Sequence, residues 1–179
     1  VLAVLDENPA LYRLFAVSAH TRIDRLLAIC QKYRPSVAVV QTPAQAEWLR
    51  LQCAEKHLKI EVLAGPEALC TVAKDSAVQI VVAAIVGVAG LPSTLAAAEA
   101  GKTLLLANKE ALVVGADVFL SAVREGGATL LPIDSEHSAI FQSLPEDPHT
   151  WDTRVEKIIL TASGGPFRTR DVASLSEMT

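Results

Sequence analysis

Residues 78–107, VQIVVAAIVGVAGLPSTLAAAEAGKTLLLA, carry the pattern that decides the fold. The apolar run over residues 78–85 predicts a buried strand. Pro92 then predicts the start of a helix that ends before Gly101, because proline suits the first turn of a helix and glycine suits the position after its end. A second apolar run over residues 103–107 predicts another strand. A strand, a helix and a strand in this spacing are typical of a parallel sheet covered by helices.

The same alternation extends in both directions from this stretch. The apolar spacing predicts an opening helical segment over residues 1–8 and further helices over residues 23–33, 43–57, 66–74, 111–125 and 137–144. It predicts further strands over residues 14–18, 36–40, 60–63, 128–132 and 157–162. This order predicts an α/β fold with a doubly wound, Rossmann-like parallel sheet. Ligands of such folds bind beyond the carboxyl ends of the strands, so we expect functional residues there.

Composition excludes several classes of protein. Hydrophobic residues make up 51% of the 179 positions, which is far too many for a disordered chain. The formal net charge is −4 and no run of basic residues is present, so we expect neither nucleic acid nor a membrane as a partner. The longest apolar run, residues 80–91, is too short to span a bilayer as a helix. The three cysteines are scattered, which favours buried thiols over a zinc site or a disulfide framework.

The first candidate site follows the strand predicted over residues 14–18, where His20, Thr21 and Arg22 stand in sequence. An NAD-binding unit usually carries an acidic residue here for the ribose, whereas a basic group suits the 2′-phosphate of NADP. The guanidinium of Arg22 offers a planar fork of donors for phosphate. The alternative is an ordinary helix start, with Thr21 as the N-cap and Asp24 in the first turn, and both interpretations can hold together.

Two further polar clusters also follow predicted strands. Asn108, Lys109 and Glu110 come after the strand over residues 103–107 and are placed for a substrate or cofactor, although an Asn-capped helix start explains them equally well. Asp134, Ser135 and Glu136 come after the strand over residues 128–132. If this backbone is extended, the two carboxylates project to one side and could share Mg²⁺ or Mn²⁺. The alternative is again capping of the next helix by acidic residues.

Glycines mark two more strand ends. Ser163 begins Ser-Gly-Gly-Pro after the last predicted strand, where successive backbone N–H groups could bind an anion or simply form a turn. Gly87 and Gly90 follow the strand over residues 78–85 and could allow a close approach to a cofactor. A turn dictated by packing explains the same two glycines.

Taken together and in order, the motifs resemble one family, the 1-deoxy-D-xylulose 5-phosphate reductoisomerases. The similar stretches are AAIVGVAGLPSTLAAAEAGKTLLLANKEALV (83–113), LLPIDSEHSAIFQSL (130–144) and LTASGGPFR (160–168). The resemblance covers essentially the whole chain and is loosest over residues 41–73. It implies reduction and rearrangement of 1-deoxy-D-xylulose 5-phosphate to 2-C-methyl-D-erythritol 4-phosphate, with NADPH and Mg²⁺ or Mn²⁺ as cofactors.

The resemblance also implies a role for each motif residue. His20, Thr21, Arg22, Asn108 and Glu110 would contact NADPH, the first three at its 2′-phosphate. Asp134 and Glu136 would bind the metal. Ser135, Glu136, Ser163 and Lys109 would contact the substrate, and Lys109 and Glu136 would be the catalytic residues.

The domain organisation that the resemblance implies is incomplete. Residues 1–132 would form an NADPH-binding domain that lacks its first strand and glycine-rich loop, and residues 133–179 would begin an α+β catalytic domain. We therefore expect an internal fragment, inactive by itself, of a cytoplasmic enzyme that is a homodimer at full length. Two alternatives stay open, another NADP-dependent dehydrogenase of Rossmann architecture and a non-catalytic nucleotide-binding module.

Overall fold

A computed structural model describes residues 1–159, 165 and 168–177 of the chain. It divides the chain into two compact units, Val1–Leu131 and Pro132–Thr179. Helices and strands alternate through the first unit, as the apolar spacing predicts. None of the described helices is long and apolar enough to cross a membrane.

The first unit contains six helices and the strands between them. The helices are α1 (Leu2–Glu7), α2 (Ile23–Tyr33), α3 (Pro43–Glu55), α4 (Pro66–Lys74), α5 (Leu91–Glu99) and α6 (Lys109–Gly126). The strands are β1 (Ala16–Ala19), β2 (Val37–Val40), β3 (Glu61–Ala64), β4 (Ile80–Ala83), β5 (Thr103–Leu106) and β6 (Thr129–Pro132), the last of which ends at the boundary with the second unit.

The strands form two three-stranded sheets, with the orders β1-β2-β3 and β4-β5-β6. Strand β1 pairs with β2, β2 with β3 and β4 with β5, all in parallel. The predicted α/β fold with parallel strands is therefore confirmed, and its strands form two sheets. Alternation along the sequence indicates which segments are strands, but pairing depends on contacts between distant residues.

Each sheet has its own hydrophobic core. Branched and sulfur-containing side chains dominate the core around β1-β2-β3, which contains Leu26, Leu27, Cys30, Ala38, Val40, Ala46, Leu49, Cys53 and Val62. Burial raises the pKa of the Cys30 thiol to about 11, so this cysteine acts as an apolar core residue. Small residues dominate the other core, which contains Ala73, Ala83, Ala97, Ala98, Leu104, Leu106 and Phe119. Alanines on α5 let that helix approach its sheet closely.

Local signals set several helix ends. Thr42 and Gln45 form the predicted capping box at the start of α3, with Pro43 as the first helical residue. Gly101 has a φ of +68° just beyond α5, which is the left-handed conformation that glycine adopts most easily. Helix α6 begins two residues earlier than predicted and is kinked at Ala116, where φ is +33°.

The second unit has short elements. It contains α7 (Ser135–Ser143), a 3-10 turn at Pro148–Thr150, α8 (Trp151–Arg154) and a 3-10 turn at Val172–Glu177. Helix α7 begins two residues before its predicted start. The strand predicted over residues 157–162 is absent at residues 157–159, and residues 160–162 lie outside the described part of the chain.

Candidate functional site

Asn108 lies between β5 and α6 and is buried, with only 3% of its surface exposed. Its side-chain oxygen accepts a hydrogen bond from the N–H of Ala111 at 3.1 Å, which caps α6. Its side-chain nitrogen donates to the carbonyls of Ile85 at 2.5 Å and Gly87 at 2.9 Å. The capping interpretation of Asn108 is confirmed, and the same side chain also holds the loop that follows β4.

The loop after β4 packs closely against Asn108 at Gly90 but is open at Gly87. A Cβ atom on Gly90 would lie 2.5 Å from the Asn108 side-chain nitrogen and 2.6 Å from the Ile85 carbonyl oxygen. Glycine is therefore required at position 90 by packing. Gly87 has a φ of +74° and open space beside it, and Val86 next to it is 82% exposed. The surface beside Gly87 is accordingly accessible to a ligand.

Lys109 and Glu110 form the first turn of α6 after this cap. The side chain of Lys109 is exposed and Glu110 is half-buried. Both follow the buried Asn108 directly, so the hydrogen bonds of Asn108 fix the backbone from which they project. The sequence pattern indicates all three residues but not the link to Ile85 and Gly87, because that contact spans more than twenty residues.

The residues predicted to contact the 2′-phosphate follow β1 and are all exposed. Helix α2 begins at Ile23 with Arg22 at the N-cap position, and no side chain caps it. The interpretation of Thr21 as the N-cap is therefore wrong, because the backbone turns one residue later than expected. The Arg22 guanidinium lies 4.0 Å from the Asp24 carboxylate, and both side chains are largely exposed. Such a pair is weak, so the guanidinium is available to an anionic ligand.

Asp134 is the N-cap of α7, as the capping alternative proposed. Its Oδ2 atom accepts from the backbone N–H of His137 at 3.4 Å and lies 2.6 Å from Nδ1 of the same residue. Burial raises the pKa of Asp134, but the hydrogen bonds from His137 together lower it by more, and the net pKa is below its ordinary value. The carboxylate is therefore charged at neutral pH. This contact of His137 was not predicted, although a spacing of three residues at a helix start permits it.

Glu136 and Ser135 are exposed in the first turn of α7, where the Ser135 hydroxyl donates to Glu136 Oε2 at 3.3 Å. The extended backbone that would project Asp134 and Glu136 to one side is present at Asp134 but not beyond it, so that expectation is wrong. Helix α7 begins at Ser135, because the cap ends the extended segment there. Within the described residues, no group of three or more His, Cys, Asp or Glu side chains is placed to hold a metal ion.

A cavity of about 780 Å³ opens beside these residues within the second unit. One wall is the face of α7 that carries Ser135 and Glu136, and the other is the segment from Arg154 to Ile159. The lining combines the Glu136 carboxylate with the cations of Arg154 and Lys157, which gives both signs of charge to a polar ligand. Ser163, the remaining predicted substrate contact, lies outside the described residues.

Comparisons with known proteins identify relatives of both units. The family model described as 1-deoxy-D-xylulose 5-phosphate reductoisomerase matches residues 1–116, and the model of that family's C-terminal domain matches residues 130–179. The chain is 52% identical over 178 residues to the enzyme of this name from Ralstonia nicotianae, covering 99% of this chain and 45% of that protein. It is 51% identical over 180 residues to the Pseudomonas putida enzyme, with the same two coverages. The chain thus spans less than half the length of these curated relatives.

Solved structures give the same result. A structure of DOX-P reductoisomerase in complex with NADPH, fosmidomycin and magnesium matches with a TM-score of 0.86 at 40% identity, covering 99% of this chain and 45% of that one. The Zymomonas mobilis 1-deoxy-D-xylulose 5-phosphate reductoisomerase in complex with NADPH matches with a TM-score of 0.85 at 40% identity and the same coverages.

Proposed function

The chain belongs to the 1-deoxy-D-xylulose 5-phosphate reductoisomerase family, and we propose that the full-length protein converts 1-deoxy-D-xylulose 5-phosphate to 2-C-methyl-D-erythritol 4-phosphate. NADPH would be the reductant and Mg²⁺ or Mn²⁺ the metal. The observation that carries the proposal is the match of two successive family domains, one to the unit with the candidate cofactor residues and one to the unit with the paired carboxylates. Solved relatives described with NADPH and magnesium support both cofactors.

We assign NADPH binding to residues 1–132. Asn108 is almost fully buried, so its contribution is to hold the loop after β4 and the start of α6 in place for the cofactor. Glu110 projects from that fixed turn and would contact the cofactor. His20, Thr21 and Arg22 are exposed beyond β1 and would bind the 2′-phosphate, chiefly through the guanidinium of Arg22.

We assign metal binding and most substrate contacts to the unit that begins near residue 133. Asp134 and Glu136 are carboxylates, which suit Mg²⁺ and Mn²⁺. The contacts with His137 outweigh burial and hold the pKa of the Asp134 carboxyl below its ordinary value. The two carboxylates supply only part of a ligand set, since hard divalent ions take six or more oxygens. When bound, the metal would act as a Lewis acid toward the substrate oxygens. Ser135, Glu136 and Ser163 of this unit would contact the substrate, and Lys109 of the first unit is proposed as a further substrate contact. Lys109 and Glu136 are the proposed catalytic residues.

Two further expectations concern the full-length protein. The family resemblance predicts a homodimer and a cytoplasmic location, and both remain predictions. Sedimentation equilibrium of the full-length protein, which measures the mass of the assembly in solution, would test the first.

The experiment that tests the proposal is NADPH oxidation by the full-length protein on addition of 1-deoxy-D-xylulose 5-phosphate. We expect turnover with Mg²⁺ or Mn²⁺, loss of turnover after exhaustive chelation, and recovery when either metal is restored. Asp134→Asn and Glu136→Gln should each lower kcat by about a hundredfold or more, because each removes a charged ligand.

Asp147→Asn is the matched control, because Asp147 caps the 3-10 turn at Pro148–Thr150 through the N–H of His149. It should leave kcat within about twofold of the unchanged protein. NADPH oxidation that persists after chelation would favour a metal-independent dehydrogenase instead. Binding of NADPH without any turnover would favour a non-catalytic nucleotide-binding module.

A further inference from the structure

The side-chain amide of Gln45, on the first turn of α3, makes three hydrogen bonds that link two neighbouring strand ends. Its Oε1 atom accepts from the backbone N–H groups of Gln41 and Thr42, each at 3.0 Å. Its Nε2 atom donates to the backbone carbonyl of His20 at 3.0 Å. The capping box accounts for the bond from Thr42 but not for the bond to His20.

These bonds lie one step beyond the regular pairing of β1 and β2, whose last pair is Ala19 with Val40. The Gln45 amide bridges the two strand ends, because it accepts from the Gln41 N–H and donates to the His20 carbonyl. A side-chain amide carries both a donor and an acceptor, which lets it link two backbone groups in this way.

Apart from this bond, the segment is restrained by two backbone hydrogen bonds to the start of α2, from the Ile23 N–H to the Thr21 carbonyl and from the Leu26 N–H to the Arg22 carbonyl, each at 3.0 Å. His20, Thr21 and Arg22 are exposed, and no side chain caps the helix that follows them. The ion pair of Arg22 with Asp24 is long and exposed. The bond from Gln45 thus fixes the point from which this segment leaves the sheet.

We propose that Gln45 is a positioning residue for recognition of the cofactor's 2′-phosphate, acting by fixing the carbonyl of His20. Holding the segment in one conformation before binding reduces the ordering cost that the phosphate must offset. All three hydrogen bonds of the Gln45 amide go to backbone groups, so it would set the preference for NADPH over NADH through the segment that it holds. This inference rests on the proposed NADPH-binding role of residues 20–22.

The test uses two small probes with the full-length protein, adenosine 2′,5′-bisphosphate and adenosine 5′-monophosphate. They differ only in the 2′-phosphate, so the ratio of their dissociation constants reports that subsite alone. In Gln45→Ala we expect the affinity for the bisphosphate to fall about fivefold, the loss expected for one neutral hydrogen bond, and the affinity for the monophosphate to stay unchanged. Gln45→Met, which fills the same space without a donor, should behave in the same way.

Thr42→Val is the control for a merely structural role. It removes the hydroxyl that accepts from the Gln45 N–H at 3.3 Å but leaves the Gln45 side chain in place. It should lower the melting temperature through loss of the cap while keeping the preference for the bisphosphate. Gln52→Ala, at a glutamine on the same helix that donates to Glu55, should change neither quantity.

An unchanged ratio of affinities in Gln45→Ala and Gln45→Met would overturn the inference, as would an equal loss of preference in Thr42→Val. Such results in a protein that still oxidises NADPH with 1-deoxy-D-xylulose 5-phosphate would leave the proposed function intact. An unchanged protein that binds both probes equally would overturn the inference together with the assignment of residues 20–22. A failure of the proposed function would appear separately, as absence of turnover.

Discussion

The segments that follow β5 and β1 make an instructive pair, because both are proposed to serve the same cofactor. After β5, the side chain of Asn108 is buried and makes three hydrogen bonds to backbone groups. After β1, the side chains of residues 20–22 are exposed, and the amide of Gln45 holds the His20 carbonyl from outside the segment. One turn is held from within the protein core, and the other is held from its surface.

The two segments differ in whether one side chain serves both the fold and the cofactor. A buried polar side chain such as Asn108 must satisfy its own hydrogen bonds, so it shapes the protein whether or not a cofactor is present. Exposed side chains such as Arg22 have water as an alternative partner and carry little of the folding free energy. Substitutions after β5 should therefore affect stability and binding together, whereas substitutions after β1 should affect binding alone.

Asn108→Ala should give the largest effect on stability. It leaves the carbonyls of Ile85 and Gly87 without their donor and removes the cap of α6. We expect the free energy of unfolding to fall by about 2–4 kcal/mol, because buried groups lose their partners. Urea denaturation of the full-length protein, followed by circular dichroism, would measure it.

Asn8→Ala is the matched control, since the Asn8 side chain makes one exposed hydrogen bond, to the carbonyl of Val4 at the end of α1. We expect it to cost about 0.5 kcal/mol or less. Equal losses of unfolding free energy in the two variants would contradict the claim that Asn108 stabilises its turn more than an asparagine at an ordinary helix end does.

Arg22→Gln should weaken cofactor binding without loss of stability, so its melting temperature should be close to that of the unchanged protein. We expect its affinity for NADPH to fall about tenfold and its affinity for NADH to stay the same, because a charge-assisted bond to phosphate is lost. Isothermal titration of each dinucleotide would measure this. Arg25→Gln, at an exposed arginine one turn further along α2, is the control, and an equal loss there would show that general positive charge is responsible.

Local sequence predicts several helix bounds and caps in this protein, but it does not predict the long-range contacts that hold the two turns. Helices α2 and α4 have the predicted bounds, because apolar spacing and Pro66 define them locally. The capping box at Thr42 was also correct, since it needs only neighbouring residues. The strand order was not predictable in this way, nor was the bond from Gln45 to His20, which joins residues 25 positions apart.

The two helix starts that carry polar clusters show a second limit of prediction from sequence. Both α6 and α7 begin two residues before the bounds that apolar spacing predicts, because Asn108 and Asp134 cap them and polar residues fill their first turns. Asn and Asp are good caps as well as good ligands, so the residue type alone does not separate the two uses. At Asn108, burial identifies the capping role. At Asp134, the contact with His137 shows a cap whose carboxylate remains charged.

Identification of the product by ¹³C NMR would be the strongest test of the proposed reaction. The full-length protein would be incubated with 1-deoxy-D-xylulose 5-phosphate, NADPH and Mg²⁺, and NADPH consumption would be followed in the same sample. We predict branched 2-C-methyl-D-erythritol 4-phosphate in an amount equal to the NADPH oxidised. Oxidation of NADPH that yields a reduced but unbranched sugar phosphate would contradict this prediction, as would unaltered substrate.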